Sequence, residues 1–101
     1  MKIEFTNRAV RDLHEISDYS QGHFGNRVTR GLEARIHEVI ANIADAPESA
    51  PRVEQRPDIR VVLLVRYPFK IFYRSAGDAI RILHIRHTAR RPWDQGDDEI
   101  A

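Results

Sequence analysis

Cysteine is absent from the 101 residues, which excludes a disulfide framework and thiolate metal ligation and agrees with a reducing compartment. Lysine is nearly absent too. Of the 16 basic side chains only Lys2 and Lys70 are lysines, so few amines are available whose pKa burial could tune for proton transfer. The formal net charge is only +1, and any attraction to nucleic acid must therefore come from a local patch rather than from the whole molecule. No apolar run approaches the length of a membrane span, and Met1 is followed directly by alternating, strand-like residues instead of an apolar leader. A cytoplasmic protein is expected. A glycine-rich phosphate loop, a Ser/His/Asp order and a zinc motif are all missing, which argues against the familiar hydrolase and nucleotide-binding classes. Neither a metal nor a cofactor is expected.

What remains is an ordinary globular composition, 42% hydrophobic and 31% charged, in a chain long enough for one compact domain and too short for two. Residues 1–101 are read as that domain, with a partly flexible tail at 90–101, basic at first and then acidic through Asp97, Asp98 and Glu99. Lys2 to Phe5 alternate as a short strand, and Thr6 is placed to cap a helix. Ala9, Leu13 and Ile16 then recur at helical spacing, with Arg8, Arg11, Asp12 and Glu15 facing away, to about Ser20. Gly22 and Gly25 are expected to end this helix. A longer one follows from Asn26 to before Pro47, carrying Val28, Leu32, Ile36, Val39, Ile40 and Ile43 along one stripe. The pair forms a helical hairpin whose apolar stripes need a further layer.

That layer comes from Ile59 to Val65, Phe69 to Arg74 and Ala79 to Ile85. These are β-branched and aromatic runs separated by turns at Pro68 and at Ala76-Gly77-Asp78, and they read as a three-stranded antiparallel meander. Residues 47 to 58, with Pro47, Pro51 and Pro57, form an irregular connection with at most a short strand around Val53. The fold class is α+β: an N-terminal strand and helical hairpin packed on an antiparallel sheet.

Strict alternation along the strands puts Lys70, Phe72 and Arg74 on one face, and on the last strand sets Arg81 and His87 opposite His84 and Arg86. His84 and His87 then cannot meet at one metal ion without a bulge, and His84 is expected to be hydrogen-bonded inside the domain. Because a helical hairpin covers one sheet face only, Val62, Leu64, Phe72 or their neighbours are expected to need cover. Either the 47–58 loop and the tail with Trp93 supply it, or a partner does. Arg86, His87, Arg90 and Arg91 cluster ahead of Pro92 and Trp93, a composition that suits either a solvated surface or an interface anchor.

The order of strand, helical hairpin and meander, together with "YPFKIFYRS" and "ILHIRHTARRPW", resembles toxins of the RelE/ParE superfamily over nearly the whole chain. The Tyr67-Pro68-Phe69 turn into Ile71-Phe72-Tyr73-Arg74 is most similar to ParE-type members. This resemblance implies a toxin of a type II toxin–antitoxin system, bound by a cognate antitoxin; the sheet face in need of cover and its charges make Arg60, Val62, Leu64, Arg66, Phe72, Arg74 and Arg81 the expected antitoxin contacts. It also implies inhibition of DNA gyrase without enzymatic chemistry, and the local cluster of Arg86, His87, Arg90, Arg91 and Trp93 is expected to engage the target. The other branch of the superfamily implies an endoribonuclease acting on messenger RNA at the ribosome. In that case Lys70, Arg74 and His87 would handle the phosphate and its protons. Thr88 stands where some nucleases have tyrosine, and the 47–58 loop offers no convincing general base, since the neighbours of Glu54, the one plausible carboxylate in its middle, do not match. Both departures disfavour the nuclease.

Overall fold

A computed structural model describes residues 1–88; Arg90, Arg91 and Trp93 lie outside the described residues, as does the rest of the tail. Strand β1 (Lys2–Phe5) leads into α1 (Asn7–Asp45), followed by β2 (Arg52–Val53), β3 (Arg56–Leu63), β4 (Phe69–Ala76) and β5 (Ala79–His87). Thr6 takes an extended conformation and its hydroxyl accepts from the Ala9 amide at 3.0 Å, which supplies one of the donors a helix start leaves open. The same hydroxyl donates to the Leu83 carbonyl at 2.8 Å, so the cap also ties the helix to β5.

Of the two glycines expected to end the first helix, only Gly25 does so. Its φ of 82° and ψ of −177° break the helical run, whereas Gly22 stays helical. The two arms of α1 double back at that point. Ser17 donates to Glu33 at 2.9 Å and Thr29 to Ser20 at 2.8 Å across the turn. The second arm buries Leu32, Ile36, Val39, Ile40 and Ile43 as its stripe requires, while Val28, at the turn, is 42% exposed.

The sheet order is β1-β5-β4-β3-β2. The meander β3–β4–β5 is antiparallel as expected, and β1 joins its far edge parallel to β5, with Ile3 beside Ile80. Gly77, at φ 64°, opens the two-residue turn between β4 and β5, where a hairpin of this length favours positive φ. One core lies between hairpin and sheet, built on Ala9, Leu32, Ile36, Val39 and Ile43 against Leu64, Ile71, Tyr73, Ile80, Ile82 and Ile85. A smaller cluster of Ile59, Phe72 and Leu83 occupies the opposite sheet face, with Val53 and Val61 against it.

Two sequence expectations change here. The expected lack of cover over Val62, Leu64 and Phe72 is not found: Val62 packs and Leu64 is buried on the hairpin side, and Phe72 is 3% exposed within the second cluster. Val53, from the proline-rich connection, helps to close that cluster. Strict alternation also fails on β5. The register steps from Phe72 opposite His84 to Tyr73 opposite Ile82, leaving Leu83 as a one-residue bulge. The bulge reverses the phase of the strand. Arg81 therefore lies opposite Arg74, on the same face as His84 and Arg86, and His87 goes to the other face beside Phe69.

Candidate functional site

The outer sheet face, away from the hairpin, gathers Lys70, Phe72 and Arg74 from β4 with their β5 partners Arg86, His84 and Arg81. Its floor is aromatic. Phe72 stacks on His84 with centroids 6.1 Å apart, and the Lys70 ammonium lies 5.6 Å from the centre of the Phe72 ring. Cations ring that floor, some of them already engaged: Arg81 reaches Glu4 at 3.1 Å, and Asp58 lies 3.6 Å from both Arg74 and Arg56. Beside it a groove of about 650 Å³ is lined by Val53, Glu54, Val61, Leu63, Lys70 and Phe72, among others. Leu63 and Val65 are 61% and 82% exposed at its end of β3.

The sequence-derived residues divide between positions that face a partner and positions that hold the fold. Arg66 is exposed, and Arg74 and Arg81 are half-buried on the outer face. Arg60 is spent within the chain, donating to the Glu48 and Ala50 carbonyls at 3.0 and 2.7 Å, and so fastens the loop after α1. Leu64 belongs to the core. Arg86, expected at a target-facing surface, is only 7% exposed, because it lies between Lys70 on β4 and the flank of the first arm of α1. Lys70 and His87 stand on opposite faces of the sheet, and His87 packs edge-on to Phe69 at 5.4 Å.

A second feature was not legible in the sequence. Strand β5 is nine residues long and β1 only four, so the far part of the β5 edge has no strand beside it. The first arm of α1 lies there instead. Asp12, expected to face solvent, is buried: its Oδ2 accepts from the Ile85 amide at 3.0 Å and lies 2.6 Å from His84 Nδ1. Arg8 approaches its other oxygen at 3.7 Å. The acid thus satisfies edge groups that a longer β1 would have paired, and His84 is the buried, hydrogen-bonded imidazole expected. Around this pair, Glu15, Tyr19, Phe69 and His87 help to line a pocket of about 470 Å³. Among the described residues no group of three His, Cys, Asp or Glu side chains is arranged to hold a metal ion, and no helix is long and apolar enough to cross a membrane.

A helical hairpin over a five-stranded sheet of this order defines a toxin of the RelE/ParE superfamily. The sequence profile of the ParE toxin of the type II toxin–antitoxin system parDE matches residues 3–92, and the chain belongs to that family. Among solved structures it is similar to the chromosomal ParDE TA system from P. aeruginosa, at 27% identity and TM-score 0.76, over 86% of this chain and 95% of that one. The isolated E. coli RelE toxin matches with TM-score 0.60 at 14% identity, over 89% of this chain and 86% of that one. The intact E. coli RelBE toxin–antitoxin complex matches with TM-score 0.61 at 15% identity, over 89% and 98%. The two RelE likenesses show the fold alone. A search of the curated proteins found no match.

Proposed function

We propose that this ParE-family toxin acts by binding, holding DNA gyrase in its DNA-cleaved state, and that a cognate antitoxin neutralises it. The observation that carries the reading is the separation of Lys70 from His87. Cleaving RNA through its 2′-hydroxyl requires a base, an acid and phosphate-binding cations around one phosphate. Here the alternation of β4 puts the lysine on the outer face, and the bulge at Leu83 of β5 puts the imidazole on the hairpin face, packed against Phe69. Arg74, the third residue of the nuclease alternative, is engaged with Asp58. A binding toxin has no need for these groups to converge.

The antitoxin reading is supported by the match to the ParE toxin of parDE and the likeness to the ParDE TA system from P. aeruginosa and by the outer-face groove. Exposed Leu63 and half-buried Val61 offer apolar contact there, and Lys70 offers a charge-assisted bond to an acidic segment; Arg74 and Arg81, on the same face, are already engaged with Asp58 and Glu4. Induction of the toxin in cells tests the target. Broken DNA that accumulates while messages stay intact is the expected result, and cleaved messages ahead of any DNA damage would establish the RelE-like endoribonuclease instead.

A further inference from the structure

Strand β1 is an edge. It has β5 on one side, and among the described residues no strand pairs with its other side. The Lys2 amide reaches the Asp78 carbonyl at 3.3 Å and the Thr6 amide reaches that of Ile82 at 3.0 Å. In a parallel ladder this turns the backbone groups of the even residues toward β5 and those of Ile3 and Phe5 outward. An exposed row of this kind is a template for another strand unless charge or proline blunts it.

The residues on that edge have a symmetry of their own. Met1-Lys2-Ile3-Glu4-Phe5 presents apolar, cationic, apolar, anionic and apolar side chains in turn. Laid antiparallel against a second copy with the two-fold axis at Ile3, it puts Met1 opposite Phe5, Ile3 opposite Ile3 and Lys2 opposite Glu4. The outward amides of Ile3 and Phe5 fall at the hydrogen-bonded positions of this register. Lys2 and Glu4 fall at the other positions, where opposed side chains approach most closely. The faces agree as well. Ile3 packs against the hairpin-side core, and Met1, Phe5 and the nearby Val10 are 66%, 41% and 42% exposed. On the other face both Arg81 contacts to Glu4 fall on Oε1, so Oε2 can meet the lysine of a partner.

The geometry points to a homodimer formed by antiparallel pairing of β1 with β1 of a second copy, joining two five-stranded sheets into one of ten strands. The interface is isologous, so each Lys2–Glu4 contact occurs twice. An unrelated strand adding to this edge would not require the charges to be related by the two-fold axis.

Sedimentation equilibrium of the untagged chain over a concentration series tests the pairing. Wild type is expected to dimerise as concentration rises. Lys2→Glu sets carboxylates opposite each other at both contacts and Glu4→Lys sets ammonium groups there, and each is expected to weaken the dimer by about tenfold or more. An equimolar mixture of the two variants joins unlike charges at both contacts and is expected to associate again. Because Glu4→Lys also loses the Arg81 contact, Phe5→Pro provides a second variant: it deletes an outward amide that β5 does not use, and it too is expected to be monomeric with its fold intact by circular dichroism. A wild-type chain that stays monomeric overturns the proposal, as do variants that dimerise like wild type or a mixture no more associated than its components. Loss of antitoxin binding in Lys2→Glu, with a monomeric wild type, would assign the edge to the antitoxin instead.

Discussion

Asp12 lies on what the helical pattern marks as the polar side of α1, yet its carboxylate meets the Ile85 amide and His84 in a buried setting. Removing it leaves buried donors without their acceptor, a loss of about 1–3 kcal/mol for such a group. Asp12→Ala is accordingly expected to lower the unfolding free energy measured by urea titration by that order, and a change below about 0.5 kcal/mol would show that water takes over the contact. Tyr73 gives a second test at this scale. Its hydroxyl donates to the Pro47 carbonyl at 2.7 Å, and burial pushes the phenol above its ordinary value of 10.0, with the Arg60 guanidinium opposing in part. The unfolded chain therefore releases this proton first as pH rises. The stability contributed by Tyr73 is present below pH 10.0 and is lost as pH climbs from there through the folded value. Tyr73→Phe is expected to cost about 1 kcal/mol at neutral pH and to flatten the alkaline fall. An unchanged alkaline slope in the variant would contradict this.

Among the elements, the two glycines of α1 look alike in sequence and differ in structure. Gly25 has φ 82° and ψ −177°, a combination almost confined to glycine, whereas Gly22 is helical and a Cβ added there meets nothing within 4 Å. Gly25→Ala is expected to destabilise by about 1–3 kcal/mol. Gly22→Ala should be neutral or stabilise by roughly 0.5–1 kcal/mol. Thermal melts that reverse this order would move the hairpin turn to Gly22. The elements themselves were legible, because the stripe from Leu32 to Ile43 and the β-branched runs repeat at their own periods. What failed was any inference that carried a period across an irregularity. A one-residue bulge has no composition of its own, and Leu83 is as good a strand residue as its neighbours. Counting by twos consequently put Arg81 on the face of His87 when it belongs with His84 and Arg86. Asp12 was misplaced for a related reason: whether a helix flank meets solvent depends on how far β1 runs beside β5, a length that local pattern does not fix.

At the scale of the whole molecule, the sheet separates two sets of residues that the sequence had left side by side. The outer face carries Lys70 and the arginines around an aromatic floor, and the hairpin face carries the core and His87. On the function proposed above, the toxin works as a surface. Its family was legible in the sequence because whole-chain order and the two quoted segments carry it, whereas the target was not, since two activities share the fold. Purified gyrase incubated with plasmid DNA and the toxin, then denatured with detergent and protease, measures that target directly. Linear DNA that increases with toxin concentration, with Lys70→Ala and His87→Ala as effective as wild type, is the expected result. Plasmid that stays intact, together with cleavage of ribosome-bound messenger RNA that either substitution reduces by orders of magnitude, would contradict it.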